Sequence, residues 1–308
     1  MIIVAGPTGS GKSALALALA ESFAGTVINA DSMQVYREAR LLTARPTQDD
    51  EARVPHRLFG VLAADDPCSA GRWLRLADAE AATAEAAGRL PVVVGGTGLY
   101  LEALLKGLAP VPPVPDEVRR EARRLHAELG GEGFRDALIA RDPSSARLPA
   151  GDRQRLLRAW EVMAATGSPL SDWQRRQPDG GRGGIAAVVL LLPPRERLYP
   201  ALDARFERML AKGGLEEARA LQALGPGADL PLMRAVGIRQ LLDHLRGETS
   251  LDAAVAAAKQ ATRRYAKRQM TWFRHRLSAD LCVLEQFSES LRPEMFAFIR
   301  RRLLTRRR

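Results

Sequence analysis

The first thirteen residues constrain this chain more than any other stretch. Ile2-Ile3-Val4-Ala5 is a short apolar run of strand composition, and Gly6-Pro7-Thr8-Gly9-Ser10-Gly11-Lys12-Ser13 follows it directly. The octapeptide fits Gly-x-x-x-x-Gly-Lys-Ser/Thr in full, and it opens an Ala- and Leu-rich helical stretch, Ser13–Glu21. Strand, glycine loop and helix in that order is the setting that makes this motif a phosphate cradle. The glycines let backbone N–H groups curl around phosphate oxygens, and the helix N-terminus adds partial positive charge. Lys12 is then placed to neutralise the outer phosphate, and the Ser13 hydroxyl to help hold Mg²⁺. The motif predicts a polyphosphate or diphosphate binder without naming it. Most such loops take ATP or GTP, as a small kinase does; a second class holds a diphosphate that serves as leaving group.

Further buried strands are predicted at Thr26–Ala30, Val92–Val94 and Ala186–Leu192, each rich in Val, Ile or Leu and bounded by Gly, Pro or Asp. Ala-rich helical stretches such as Ser69–Ala87 lie between them. This alternation implies an α/β fold, a parallel sheet core flanked by helices on both faces. The pattern breaks at Ala109-Pro110-Val111-Pro112-Pro113-Val114-Pro115, which can continue neither a helix nor a central strand. Residues 116–177 are Arg-rich and helical in pattern, and Pro178–Gly184 reads as a flexible hinge before the core resumes. The expected organisation is a core of residues 1–108 and 185–308 interrupted by a helical insertion, 116–177. A long helix from Leu251 to Arg276, a short strand Leu281–Leu284 and a basic tail, Arg300–Arg308, close the chain. That tail reads as a mobile terminus.

Composition narrows the function classes. With 308 residues, 46% hydrophobic and 27% charged, the chain is not a disordered one. No apolar run approaches the ~20 residues of a membrane span, and Met1-Ile2-Ile3-Val4 has no basic leader, so a cytoplasmic protein without a membrane partner is expected. Cys68 and Cys282 exclude a disulfide framework and a four-cysteine zinc site. His56, His126, His244 and His275 show no metal-ligand spacing. The net charge of +10 favours acidic partners, nucleic acid first among them, although an Arg-favouring genome accounts for it equally.

Asp31 ends the second apolar strand, at the sheet edge that faces the ligand crevice in open parallel sheets. At that place it serves as a Mg²⁺ ligand, as a base accepting a proton from an incoming nucleophile, or as a turn cap. The next residues, Met33-Gln34-Val35-Tyr36-Arg37, combine amide, aromatic and cationic groups suited to gripping a base. Further on, Thr262–Arg276 interleaves Arg263, Arg264, Lys267, Arg268, Arg274 and Arg276 with Tyr265, Trp272 and Phe273. Cations for phosphates and flat rings for bases suit a single-stranded RNA loop; a solvated charged helix with its aromatics in the core fits equally.

Gly6–Ser13 followed by Asp31-Ser32-Met33-Gln34-Val35-Tyr36-Arg37 resembles the signature of the tRNA dimethylallyltransferases, the IPP transferase family. Further similarities run in the same order: Val54-Pro55-His56, Val94-Gly95-Gly96-Thr97-Gly98-Leu99-Tyr100-Leu101, Asp152-Arg153-Gln154-Arg155 within Arg147–Val162, Met233–Gln240 and Thr262–Arg274. The chain departs from the family pattern at Leu42-Thr43-Ala44-Arg45-Pro46, His56-Arg57, Gly60, Pro149-Ala150-Gly151 and Ala201, which leaves Arg205 as the nearer match to an expected arginine.

The resemblance implies a P-loop core with a helical insertion. It also implies transfer of a dimethylallyl group from its diphosphate to N6 of the adenosine beside the anticodon. It casts Asp31 as the base, Thr97 as donor to the bridging phosphate oxygen, and Lys12, Arg205 and Mg²⁺ on Ser13 as stabilisers of the departing diphosphate. It assigns tRNA contact to Asp31, Ser32, Met33, Gln34 and Thr97, with Arg119 and Gln154, Arg155, Leu156, Leu157 and Arg158 in the insertion. Arg234, Ala235, Val236, Gly237, Ile238 and Arg239 belong to the same set, as do Lys267, Arg268, Gln269, Met270, Thr271, Trp272, Phe273 and Arg274. The expected partners are the tRNA anticodon stem-loop and dimethylallyl diphosphate, acting on a monomer. Two alternatives stay open at this point: a P-loop kinase of a small metabolite, and an RNA-binding protein whose phosphate loop is regulatory.

Overall fold

The computed structural model describes residues 1–176, 180–225 and 230–305. The chain divides into two compact units, Met1–Leu104 with Arg182–Arg308, and Leu105–Gly181.

The first unit is built on six parallel strands. In chain order β1 is Ile2–Ala5, α1 Lys12–Ser22, β2 Gly25–Asn29, α2 Gln48–Arg53, β3 His56–Arg57, α3 Ala70–Ala86, β4 Leu90–Gly95 and α4 Gly98–Lys106. The sheet runs β3-β2-β4-β1, and continues with β5, Ala187–Leu191, and β6, Leu281–Val283. All neighbouring pairs are parallel, with Ile3 opposite Val93 on one side and Val188 on the other. β1, β2 and β5 are buried along their whole length, which is why they read as uninterrupted apolar runs. The chain leaves β1 to one side for β2, β3 and β4 and reaches β5 and β6 on the other. That switch point opens a crevice at the C-terminal end of β1, where the glycine loop sits.

The sheet is locked to its helices by apolar side chains and one aromatic bridge. Leu15 and Leu19 of α1 pack on Ile2, Val4, Val92 and Val189. Trp73 of α3 is fully buried, donates its indole N–H to the Asn29 carbonyl at 2.8 Å, and stacks on Tyr100 with ring centroids 4.5 Å apart.

The second unit carries α5, Asp116–Arg141, α6, Arg153–Thr166, and α7, Leu170–Arg175, with no strand among the described residues. Phe134 and Leu138 of α5 meet Leu156, Ala159 and Trp160 of α6 in its core. Asp152 caps α6 by accepting the Arg155 N–H at 3.2 Å.

After β5 the first unit is helical: α8, Arg195–Ala211, α9, Gly214–Ala223, α10, Ile238–Leu245, α11, Leu251–Arg276, and, after β6, α12, Arg292–Thr305. Two expectations need correction. Of the tail, residues 300–305 are not a loose end but the last turns of α12. Ile299 is buried there, and Arg302 donates to the Ala186 carbonyl at 2.9 Å and pairs with Asp280 at 2.6 Å. Of the hinge, 178 and 179 lie outside the described residues, as does 177 at the end of the insertion, and Arg182 is tied to Asp78 and Glu85 of α3 at 3.0 and 2.9 Å. Residues 306–308 of the tail also lie outside the described residues.

Candidate active site

The phosphate loop has the shape its glycines dictate. Gly9 and Gly11 sit at φ +81° and +85°, in the left-handed region that other residues avoid. A Cβ on Gly11 would lie 2.9 Å from Phe287, so the loop is also packed tightly from behind. Gln286 Nε2 donates to the Gly9 carbonyl at 2.8 Å, and the Phe287 N–H to the Ser10 carbonyl at 3.1 Å. α1 begins at Lys12 and turns its unpaired N–H groups toward the crevice. The Lys12 ammonium reaches back across the loop to the Pro7 carbonyl at 3.3 Å. Arg205 of α8 donates to the Thr8 hydroxyl at 2.6 Å, which brings the one arginine the sequence singled out on that helix onto the loop.

Asp31 is held from both sides by a residue that sequence reasoning passed over. Asn29, fully buried at the end of β2, accepts the Asp31 N–H at 2.8 Å and donates to the Asp31 carbonyl at 2.9 Å. It also donates to the Leu58 carbonyl at 3.0 Å. The signal was a polar side chain in an otherwise apolar strand, which burial tolerates only when it is fully bonded. Asp31 Oδ1 accepts the Met33 N–H at 2.9 Å, which fixes the carboxylate on its own turn. Thr97 lies against the same turn: its hydroxyl accepts the Ser32 N–H at 2.9 Å and donates to the Ser32 hydroxyl at 3.2 Å. Gln34, expected to contact a base, donates its amide to the carbonyls of Thr43 and Ala44 at 2.8 and 3.2 Å and braces the following loop. Glu217 of α9 fixes that loop as well, accepting the N–H groups of Arg40, Leu41 and Leu42 at 2.7, 2.8 and 2.8 Å.

These pieces enclose a cavity of about 240 Å³. Thr8, Asp31, Ser32, Arg205 and Arg268 make one part of its wall polar, and Leu42, Leu202, Phe206, Met209 and Val236 make another part apolar. Leu202, Phe206 and Met209 recur at helical spacing along α8, with Arg205 on the same face. Thr262, Tyr265 and Arg268 do the same along α11, and the Arg268 guanidinium lies 5.7 Å from the Tyr265 ring centre. Burial, with the Asp31 carboxylate nearby, pushes the Tyr265 phenol above its ordinary range, so it stays neutral and acts as a flat, hydrogen-bonding wall. Lys12 and Thr97 are not among the lining residues but adjoin them, Lys12 on the phosphate loop with Thr8 and Thr97 against Ser32.

Desolvation holds the Lys12 ammonium down at about 8, against the attraction of Asp31 and with repulsion from Arg205 added. The same desolvation lowers Arg205, whose charge Asp31 supports. A pocket that strips water from two cations is primed for an anion that restores the balance. Raising pH through about 8 should therefore discharge Lys12 in the free protein. The kcat/KM for a diphosphate substrate should then fall by about a factor of ten per pH unit. A flat profile between pH 7 and about 10, or one unchanged by Lys12→Ala, would contradict this assignment.

For Mg²⁺, no three His, Cys, Asp or Glu side chains cluster as a metal cage among the described residues. The exposed Ser13 hydroxyl at the head of α1 is the donor on offer. A single hydroxyl completed by phosphate oxygens and water is a set that Mg²⁺ accepts, so the residues fit.

The residues assigned to tRNA divide by burial. Lys267, Arg268, Thr271 and Arg274 of α11 are exposed, as are Arg239, Gln154 and Arg155. Arg158 and Leu157 are half-buried, with Arg158 3.7 Å from Glu161, and Arg119 lies 3.9 Å from Asp116. Leu156, Ile238, Gln269, Met270 and Phe273 are buried, which corrects their assignment as side-chain contacts: a helix turns only part of a contiguous motif outward, and these face in. Gly237 is buried just before α10, and Ala235, also buried, lines the cavity. Trp272 packs flat over Gly98, where a Cβ would approach its ring to 2.4 Å. The side chain of Arg234 lies outside the described residues.

Comparison with known proteins agrees with this layout. The IPP transferase family model matches residues 34–276, and an isopentenyl transferase model matches residues 1–59. A tRNA dimethylallyltransferase of Rhodospirillum centenum is 56% identical over 281 residues, covering 91% of this chain and 90% of that protein. One of Paramagnetospirillum magneticum is 50% identical over 305 residues, 99% of this chain and 97% of that protein. The crystal structure of a full-length tRNA isopentenylpyrophosphate transferase of Bacillus halodurans superposes with a TM-score of 0.70 at 29% identity, over 99% of this chain and 96% of that one. A eukaryotic dimethylallyltransferase acting on tRNA superposes with a TM-score of 0.75 at 26% identity, over 89% of this chain and 69% of that one. The core is P-loop NTPase-like, and nothing in these similarities favours a kinase. A family model that spans residues 34–276, together with relatives at least half identical over nine-tenths or more of the chain, shows that the chain belongs to the IPP transferase family.

Proposed function

We propose that this chain transfers a dimethylallyl group from dimethylallyl diphosphate to N6 of the adenosine 3′ of the anticodon in tRNA, releasing diphosphate. The observation that carries this reading is the two-sided cavity, in which a carboxylate and two arginines share one space with a hydrocarbon wall. A phosphoryl-transferring kinase has no use for Leu202, Phe206, Met209 and Val236 beside its phosphates. The prenyl group needs exactly such a wall, because five carbons gain little from water.

Chemically, the N6 lone pair forms a bond to C1 of the prenyl group as the C1–O bond breaks and its electron pair leaves with the diphosphate. An exocyclic amine is a weak nucleophile, its lone pair being delocalised into the ring. Asp31, fixed by Asn29, orients the amine and takes up the proton it sheds. Thr97 and Ser32 shape the turn on which Asp31 stands, and the Thr97 hydroxyl is available to the bridging oxygen once it leaves Ser32. Lys12, Arg205 and the first N–H groups of α1 hold the charge that develops on the diphosphate. Ser13 would hold Mg²⁺, which when bound adds positive charge beside the same oxygens. Tyr265 and Arg268 receive the base, splayed out of the loop, on a flat and cationic face. A cytoplasmic monomer is part of the same proposal.

The test is chemical: unmodified tRNA incubated with protein, Mg²⁺ and dimethylallyl diphosphate, then digested to nucleosides, should yield N6-dimethylallyladenosine from the position 3′ of the anticodon. Unmodified adenosine there would contradict the reading. The exposed cations on α11 predict a steep electrostatic component to tRNA binding. Raising monovalent salt from about 50 to about 200 mM should weaken affinity roughly a thousandfold. A flat salt dependence in a filter-binding series would argue against tRNA as the polyanion.

A further inference from the structure

Gln269 lies in the middle of the stretch whose family resemblance implies RNA contact, yet its amide is 6% exposed and turned inward. Its Oε1 accepts the Thr8 N–H at 2.8 Å, and its Nε2 donates to the Gly96 carbonyl at 2.9 Å. We propose that Gln269 is a positioning residue, a buried strut that fixes the diphosphate loop relative to the Thr97 turn. The inference rests on the prenyl-transfer reading above and deepens it.

Both ends of the strut stand one step from the chemistry. Thr8 carries the hydroxyl that Arg205 grips at 2.6 Å, so orienting the Thr8 peptide orients the arginine on the loop. Gly96 precedes Thr97, whose hydroxyl receives the Ser32 N–H beside Asp31. One side chain therefore ties the group that holds the leaving diphosphate to the group that holds the base. The orientation is enforced chemically: reversing the amide would set donor against donor at Thr8 and acceptor against acceptor at Gly96. Leaving either atom unpaired in a buried site is costly, which makes the strut stiff. Gly96 belongs to the same device, since a Cβ there would lie 2.3 Å from Gln269 Nε2. Its neighbours on α11 point elsewhere: Arg268 lines the cavity and Lys267 is exposed to solvent.

The test uses the full chain with Gln269→Met, which keeps the volume and deletes both bonds, and Gly96→Ala, which pushes the amide out. Displacing loop against turn should lower kcat about a hundredfold, raise the KM for dimethylallyl diphosphate, and leave the tRNA dissociation constant and the salt slope unchanged. Inorganic diphosphate, titrated calorimetrically, should bind about ten times more weakly to Gln269→Met. The double variant Gly96→Ala/Gln269→Ala should lose little beyond Gln269→Ala alone, because the shortened side chain makes room for the new methyl. A weakened tRNA affinity with kcat intact at saturation would overturn the proposal in favour of an RNA contact. Unchanged kcat with only a lowered melting temperature would reduce Gln269 to core packing. If the wild-type chain transfers no prenyl group at all, the activity reading fails instead, and the diphosphate titration still decides the strut.

Discussion

Replacing Asp31 by Asn should lower kcat about a thousandfold, the scale of a lost general base, while tRNA affinity stays within about twofold of wild type. The variant is a clean probe because of how the turn is built. Asparagine retains an Oδ1 to accept the Met33 N–H, and the two bonds from Asn29 reach the Asp31 backbone, not its side chain. Geometry therefore survives, and what disappears is the capacity to take a proton from N6. Single-turnover kinetics with saturating tRNA, set beside a filter-binding isotherm, separates the two quantities. Collapse of tRNA affinity with the chemical step intact would make Asp31 a recognition residue and leave the reaction without a base among the cavity walls.

The second large effect belongs to Lys12. Lys12→Ala should lower kcat/KM for dimethylallyl diphosphate about a thousandfold, since the ammonium meets charge that grows as the C1–O bond breaks. The fold should not suffer. A lysine held at about 8 is charged at neutral pH against the preference of its surroundings, so removing it relieves the folded state. The sign follows from proton counting: between about 8 and 10.5 the unfolded chain binds the proton that the folded chain has shed, so stability rises with pH across that window. Below about 8 both states carry the proton, and the unfavourable term is present in full. At pH 7 the Lys12→Ala melting temperature should equal or exceed that of wild type, measured by calorimetry. A marked fall would mean that the bond from Lys12 to the Pro7 carbonyl holds the loop together and that its role is structural.

How much of this was legible beforehand follows from how each feature is encoded. The strands of the sheet interior announce themselves, because burial on both faces demands unbroken apolar runs such as Ile2–Ala5 and Ala187–Leu191. β3 does not: it is two polar residues, His56 and Arg57, made a strand only by pairing with Val27 and Ile28. The glycine loop was readable because its spacing is local. The apolar cavity wall was not, since Leu202, Phe206 and Met209 have the periodicity of any core-facing helix, and only the tertiary arrangement leaves a space in front of them. The roles within α11 were blurred for a related reason. A motif is contiguous in sequence, whereas a helix sends Tyr265 and Arg268 to the cavity, Gln269 and Phe273 inward, and Lys267 and Arg274 to solvent. Asn29 and Glu217 bond to backbone atoms of distant or neighbouring loops, and no pattern of residue types records such a partnership.

The central claim is that the phosphate loop holds a leaving diphosphate and not a transferable phosphoryl group. One experiment addresses it directly: purified protein, Mg²⁺ and unmodified tRNA are divided between dimethylallyl diphosphate labelled in its prenyl carbons and ATP labelled in its γ-phosphate. The account predicts prenyl label appearing in tRNA, inorganic diphosphate released in equal amount, and no γ-phosphate passed to any acceptor. Phosphate transferred from ATP to a small molecule, with tRNA left unlabelled by the prenyl donor, would contradict it.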